Sequence, residues 1–311
     1  MPTSAPEKTA SPAVYRGRFA PSPTGDLHMG SLVAAVASYL EARTRKGEWL
    51  VRVEDLDPPR EVPGSADRML HCLENFGFEW DGDVLFQSSR DDAYRKAIQR
   101  LRDAGKAYPC ACSRAEIAEQ ARQTGPEGPV YPGTCRHGLR PDREGRAIRL
   151  RTCDEDICFD DRLQGRICQN PGHDIGDFVI RRTDGWFAYQ LAVVVDDAWQ
   201  GVTDVVRGAD LLLSTPRQIW LQRQLGLPQP EYLHIPLLLD AAGSKLSKQA
   251  RSLPVNPARP GTALFDALRL LEQSPPRTLT GARLPEIWDW ALKNWQASRL
   301  RGLNRLTIPA T

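Results

Sequence analysis

The stretch from Arg16 to Ser31 limits the possible folds more than any other part of the chain. A strand-like segment, Arg16 to Ala20, runs into Pro21-Ser-Pro-Thr-Gly25. That turn cannot be helical, because its prolines lack amide donors and hold φ fixed. Leu32, Val33, Val36, Ala37 and Leu40 then recur at helical spacing, so a helix begins near His28 to Gly30. Trp49 to Val53 is an apolar run of strand length. Strand, turn, helix, strand is the βαβ unit of a parallel sheet, and the expected class is α/β.

The same reading continues along the chain. Helices are expected over Ser65 to Phe76 and Asp91 to Ala104. Between Tyr108 and His173 cysteines, glycines, prolines and charges crowd together around short strand signals such as Ala147 to Leu150, so residues 108–173 read as an insertion. The α/β pattern resumes with a strand at Phe178 to Arg181, a helix over Gln190 to Asp197 and a strand at Val202 to Val206. A helix starting at Thr215-Pro216 and a last sheet strand from Tyr232 to Leu239 follow. Beyond Pro254 the chain reads as helical and polar, with breaks at Pro260 and Pro275-Pro276. The expected organisation is a disordered lead-in (1–14), a catalytic domain in two pieces (15–107 and 174–253), the insertion, and a short helical C-terminal region (254–311).

Composition excludes some classes. No apolar run approaches the ~20 residues needed to cross a bilayer, and no basic start leads into an apolar stretch, so neither a membrane span nor a secretory signal is expected. The net charge of +2 is compatible with an acidic partner bound through a local basic surface. Two such stretches exist, Arg136 to Arg151 and a tail with Lys293, Arg299, Arg301 and Arg305; alone, each reads as a solvated face. Seven cysteines, an odd number, argue against a disulfide framework and for a reducing, cytoplasmic compartment. Cys110, Cys112 and Cys135 form two half-sites of a metal knuckle, and spacing alone selects His137 as fourth ligand. Cys153, Cys158, Cys168 and His173 fit no metal pattern, and the three cysteines are expected to be ordinary thiols; Cys72 is expected in the core.

Two segments suit phosphate. A glycine-containing turn delivers the backbone to the helix start at His28-Met-Gly30-Ser31, where unpaired N–H groups and the dipole attract anions. Gly30 leaves room for a flat adenine or ribose, and His28 can donate to a phosphate oxygen. Gly243-Ser-Lys245-Leu-Ser-Lys248 offers two lysines on a loop that can close on phosphates. Taken singly, each is more often a capping histidine or a solvated loop.

Together the two resemble the signatures of class I aminoacyl-tRNA synthetases, His-Ile-Gly-His and Lys-Met-Ser-Lys-Ser. The chain departs from them at Ser31, Leu246 and Gln249. Arg18-Phe-Ala-Pro-Ser22-Pro-Thr-Gly25, Arg52-Val-Glu54-Asp-Leu-Asp57, Tyr189-Gln-Leu-Ala-Val-Val-Val-Asp196-Asp197 and Val206-Arg207-Gly-Ala-Asp210 narrow the resemblance to glutamyl-type enzymes. About sixty residues follow Lys248, too few for the usual helical anticodon module, and this is similar to the glutamyl-Q tRNA(Asp) synthetase family. The resemblance implies a Rossmann-like class I catalytic domain with a zinc-bearing insertion. It also implies activation of L-glutamate by ATP with Mg2+, transfer to queuosine in the anticodon of tRNA(Asp), and a monomer.

Glutamate would be held by Arg18, Phe19, Ala20, Pro21, Ser22, Glu54, Tyr189 and Arg207. The arginines suit carboxylates and Glu54 the ammonium. ATP would contact His28, Gly30, Ser31 and Lys248, with His28, Lys245 and Lys248 neutralising charge on the phosphates. The same resemblance points to Tyr131 rather than His137 as fourth zinc ligand beside Cys110, Cys112 and Cys135. Two other readings stay open: a shortened glutamyl-tRNA synthetase charging the 3′ end, and a catalytically inactive zinc-containing RNA-binding module.

Overall fold

The computed structural model describes residues 14–239, 255–303 and 305–307. The lead-in expected over 1–14 lies outside them apart from Val14, as do Lys245 and Lys248.

Strand Arg16–Phe19 pairs in parallel with Glu48–Val53, which pairs with Leu85–Phe86. On the other side Thr203 N donates to Arg16 O at 2.9 Å, which sets the next strand, Asp204–Gly208, alongside. That strand runs parallel to Glu231–Ile235, and Tyr232 of the latter meets Asp161 of Ile157–Asp161. The expected parallel layer is therefore present, as a three-stranded and a four-stranded sheet that meet where Thr203 bonds to Arg16. Helix Met29–Thr44 packs on it through Leu32, Val36 and Leu40, while Ala35, Ala37 and Ala42 let the helix approach closely.

The C-terminal part is not a polar appendage. Helices Pro260–Leu270 and Leu284–Asn294 bury Leu264, Leu268, Ile287 and Trp288 in the same core as Leu32, Trp49 and Phe78. Pro260, expected as a break, occupies the first turn of its helix, where a missing N–H removes no hydrogen bond. The expected strand Tyr232 to Leu239 is interrupted at Pro236; its second half, Leu237–Leu239, pairs instead with Arg305–Thr307.

The insertion divides differently from the expected 108–173. Ala107–Cys110, Ala147–Leu150 and Phe178–Arg181 form one antiparallel sheet, so Phe178–Arg181 belongs with the insertion rather than with the resumed parallel layer. Alternation of apolar residues reports burial of one face and carries no information on pairing direction. Conversely, Ile157–Asp161 with its hairpin partner Gly165–Gln169 joins the main sheet.

That hairpin overturns one expectation. Cys158 and Cys168 are not free thiols: they lie directly opposite each other, with Cα atoms 4.1 Å apart, and are joined by a disulfide. An odd cysteine count cannot reveal that two strands place a pair face to face, at the close approach of a non-hydrogen-bonded antiparallel position. Cys72 is buried, as expected of a core residue.

Trp288 tests the role of the C-terminal helices. Its ring meets Tyr39 and Phe78 at centroid distances of 5.0 and 5.1 Å, and its indole N–H donates to Phe76 O at 2.8 Å. Trp288→Ala is expected to destabilise the whole chain by about 3–5 kcal/mol. A urea melt checks this: the midpoint should fall with the slope unchanged. Unchanged stability would mean that these helices do not share the core.

Candidate active site

The carboxyl ends of adjacent parallel strands carry the expected pocket residues. Arg18 lies in the first strand, Glu54 directly follows the second, and Arg207 lies near the end of Asp204–Gly208. Helix Met29–Thr44 starts at the same edge, the edge at which open α/β sheets bind ligands. Glu54 N donates to Pro21 O at 2.9 Å, which ties the proline turn to the second strand.

Beneath the pocket is a buried ion network. Asp197 accepts from Arg18 Nε at 3.1 Å and Nη2 at 3.4 Å, and from Arg52 Nη1 at 2.7 Å. Arg52, fully buried, also donates to Gln200 Oε1 at 2.8 Å and Glu54 Oε1 at 3.3 Å. Burial alone would raise the Asp197 pKa, but the two guanidiniums outweigh it and hold the carboxyl below its ordinary range. For Glu54 the balance goes the other way: burial raises its pKa in spite of Arg52 and Arg18.

Arg207 is held from three sides. Nε donates to His234 Nε2 at 3.0 Å, Nη1 to the Tyr189 hydroxyl at 3.2 Å, and Nη2 to Thr215 Oγ1 at 2.9 Å. His234 Nδ1 lies 2.6 Å from Asp161 Oδ2. Since guanidinium only donates, His234 Nε2 must accept, and its proton is on Nδ1, directed at Asp161. Tyr189 feels charge from both halves: burial raises its pKa, and the charges that bear on it are Arg207, Glu54 and Arg18. Hydrogen bonds tie Tyr189 to Arg207 and, separately, Arg18 to Glu54 through Asp197 and Arg52.

His28 caps the helix: its side chain accepts from Ser31 N at 3.2 Å, and Ser31 Oγ lies 3.2 Å from its Nε2. Phe19 turns its ring into the core, stacked on Trp49 at 6.3 Å, so it can offer the pocket only its backbone. Val255 donates its N–H to the carbonyl of Leu27, the residue before His28, at 2.9 Å; Lys245 and Lys248 lie outside the described residues.

In the insertion the sulfurs of Cys110, Cys112 and Cys135 lie within 4.8 Å of one another and can chelate a metal. The Tyr131 hydroxyl is 3.4 Å from Cys110 Sγ and 3.9 Å from Cys112 Sγ, whereas His137 is exposed. Burial acts to raise the Cys110 thiol pKa, but hydrogen bonds from Tyr131, Cys112 N–H and Arg149 lower it overall. The basic stretch proves largely architectural. Arg149 is buried over the Tyr131 ring and reaches Cys110 Sγ at 3.2 Å; Arg136 pairs with Asp177, Arg143 with Glu116, and Arg151 donates to Gly105 O.

Sequence reasoning missed Asp197, Arg52, His234, Asp161 and Thr215 as supports of the site. A signal was present for three of them: Asp197, Arg52 and His234 each interrupt an apolar run, and a charge or imidazole that must be buried needs a partner.

With this geometry, similarity to known proteins becomes informative. Residues 15–266 match the family described as tRNA synthetases class I (E and Q), catalytic domain, so the chain carries a class I synthetase catalytic domain. A glutamyl-Q tRNA(Asp) synthetase of Dechloromonas aromatica (strain RCB) is 56% identical over 297 residues, 95% of this chain and 99% of that protein. One from Chromobacterium violaceum is 57% identical over 290 residues, 93% of this chain and 96% of that protein. The chain belongs to the glutamyl-Q tRNA(Asp) synthetase family. The crystal structure of glutamate-tRNA synthetase from Elizabethkingia anophelis, 24% identical, shares the fold with a TM-score of 0.77 over 96% of this chain and 68% of that one. Among the described residues no helix is long and apolar enough to cross a membrane.

The neutral His234 makes stability depend on pH. Burial first, and Arg207 with it, lower its pKa from 6.5 to about 4 against the opposing pull of Asp161. Between those values the unfolded chain binds the extra proton, so stability rises with pH there and is lost as pH falls from about 6.5 towards 4, by on the order of 3 kcal/mol. His234→Gln should be less stable at neutral pH but show a flatter acid slope, measured by denaturant melts across that window. An unchanged slope would show that His234 does not carry the effect.

Proposed function

We infer that the chain activates L-glutamate with ATP, without tRNA, to glutamyl-adenylate and pyrophosphate, and then transfers the glutamyl group to the queuosine base in the anticodon of tRNA(Asp). What supports this reading is the placement of Arg18, Glu54 and Arg207 at the carboxyl ends of parallel strands, with Tyr189 bonded to Arg207 and the His28-capped helix starting from the same edge.

The chemistry follows from the donors. A guanidinium has five N–H donors. Arg207 engages three with His234, Tyr189 and Thr215, which leaves two for a substrate carboxylate. Arg18 engages two with Asp197 and keeps three. Glu54, mostly shielded from solvent with its pKa raised by that burial, gains a counter-charge when the substrate ammonium arrives. Ser22, with the backbone of Phe19, Ala20 and Pro21, completes the wall. A glutamate α-carboxylate oxygen then attacks the α-phosphorus of ATP, and the bond to the pyrophosphate oxygen breaks. His28, Gly30 and Ser31 at the helix start, with Lys245 and Lys248, oppose the charge on the phosphates. No protein nucleophile is needed; positioning and charge supply the acceleration.

Pyrophosphate exchange into ATP tests the first step. It should proceed with glutamate and no RNA, and be far weaker with glutamine or aspartate. Arg207→Lys, which loses the fork, should lower kcat/KM for glutamate by about 100-fold. Exchange that ignores the amino acid would sink the assignment. For the second step, nuclease digestion of glutamylated tRNA(Asp) should leave the label on the modified nucleoside, not on the terminal adenosine.

The thiol cluster fits zinc by its donor set, three sulfurs and a hydroxyl, and Cys110, Cys112, Cys135 and Tyr131 would hold it. Bound zinc would act as a structural clamp on the antiparallel unit. Purified protein should contain about one zinc per chain by elemental analysis. Tyr131→Phe should release it to a chelator faster, and His137→Ala should not. The reverse pattern would make His137 the ligand.

A further inference from the structure

A cavity of about 620 Å³ lies at the far end of helix Met29–Thr44 from His28, between that helix, the turn after Ile157–Asp161 and the C-terminal segment Ala297–Leu300. The helix separates it from His28 by about 24 Å, so it is no part of the glutamate and ATP site. Its wall includes Glu41, Arg45, Arg162, Trp295, Ser298 and Arg301.

The wall is built around one carboxylate. Glu41, 1% exposed, accepts from Trp295 Nε1 at 2.7 Å through Oε1. Its Oε2 pairs with Arg45 Nη1 at 2.8 Å and Arg162 Nη2 at 2.7 Å. These are ion pairs without a directed hydrogen bond at Oε2, so the buried carboxylate fixes both guanidiniums by charge and leaves N–H donors available. Asp204 lies 3.7 Å from Arg162 on the side of the sheet and balances it in part. Arg301 makes no ion pair among the described residues, so the wall carries an excess of positive charge. The carbonyl end of the helix would oppose an anion here, but Arg45 caps it by donating to Glu41 O at 3.0 Å.

Preset guanidinium forks favour phosphate, since they are weakly hydrated and directional. The volume is that of a small-molecule pocket and far exceeds one phosphate. The half-buried indole of Trp295 lines the cavity and offers aromatic surface to a ring. We propose that this cavity binds a nucleotide unit, with its phosphate on Arg45, Arg162 and Arg301 and its ring against Trp295. A free nucleotide and one residue of an RNA strand present the same chemistry.

Calorimetric titration of the full chain separates the two sources, with the reaction site first filled by a non-hydrolysable glutamyl-adenylate analogue. The probes are AMP and tRNA(Asp). Arg301→Ala should weaken at least one of them by about tenfold, while melting temperature and glutamate-dependent exchange stay as in the wild type. Ser298→Glu, which brings a carboxylate to the wall, should weaken the same probe further. Loss with AMP alone identifies a free nucleotide, and loss with tRNA(Asp) identifies an RNA contact. If neither variant changes either affinity, the proposal is overturned. It is equally overturned if Arg301→Ala lowers exchange or melting temperature in parallel, because Arg301 would then be supporting the fold.

Discussion

Asp197 between Arg18 and Arg52 is the contact on which the site depends. Taking ions out of water costs several kcal/mol each, so two guanidiniums can lie under a strand edge only if a carboxylate joins them and other acceptors take the remaining protons. Asp197 does the first, and Gln200 and Glu54 help with the second. The cations are in place before any substrate arrives, and little reorganisation is needed when charge develops nearby. The preceding residue, Asp196, projects in another direction from the same helix and accepts from Gln87, Arg90 and the Tyr94 hydroxyl. Two adjacent aspartates thus pin helix Tyr189–Trp199 to the parallel strands on one side and to helix Asp91–Asp103 on the other.

The same logic recurs in the other half of the pocket. Asp161 fixes the tautomer of His234, His234 accepts from Arg207, and Arg207 meets Tyr189. Asp161 ends the strand whose hairpin bears the Cys158–Cys168 bridge. Part of the chain between the two halves of the nucleotide fold therefore supports the pocket directly. In the antiparallel unit Arg149 plays the organising part, lying over Tyr131, reaching the Cys110 sulfur and donating to Asp177 O at 2.6 Å. Arginines that look like an RNA-facing run are, in large part, the internal ties of the thiol cluster.

The C-terminal helices change the meaning of the domain plan. Because Leu264, Leu268, Ile287 and Trp288 share a core with Trp49 and Phe78, residues 255–303 complete the catalytic layer. Trp295 also reaches Glu41 at the base of the first helix, so this segment closes one side of the distal cavity.

What the sequence determined by itself was the local order: the first strand with Arg18, the proline turn, His28 at the helix start, and strands ending just before Glu54 and Arg207. These are encoded by periodicity and by backbone restrictions of proline and glycine, which act over a few residues. Membership of a glutamyl-type family was legible as well, because the motifs are long and consecutive. The tertiary structure alone decided which charges neutralise one another, that Phe178–Arg181 runs antiparallel, that Cys158 faces Cys168, and that the last helices are core. Each of those depends on groups distant in the chain, such as Arg18 and Asp197, coming within hydrogen-bond reach. Spacing along a sequence does not encode that distance; only the packing of strands and helices sets it.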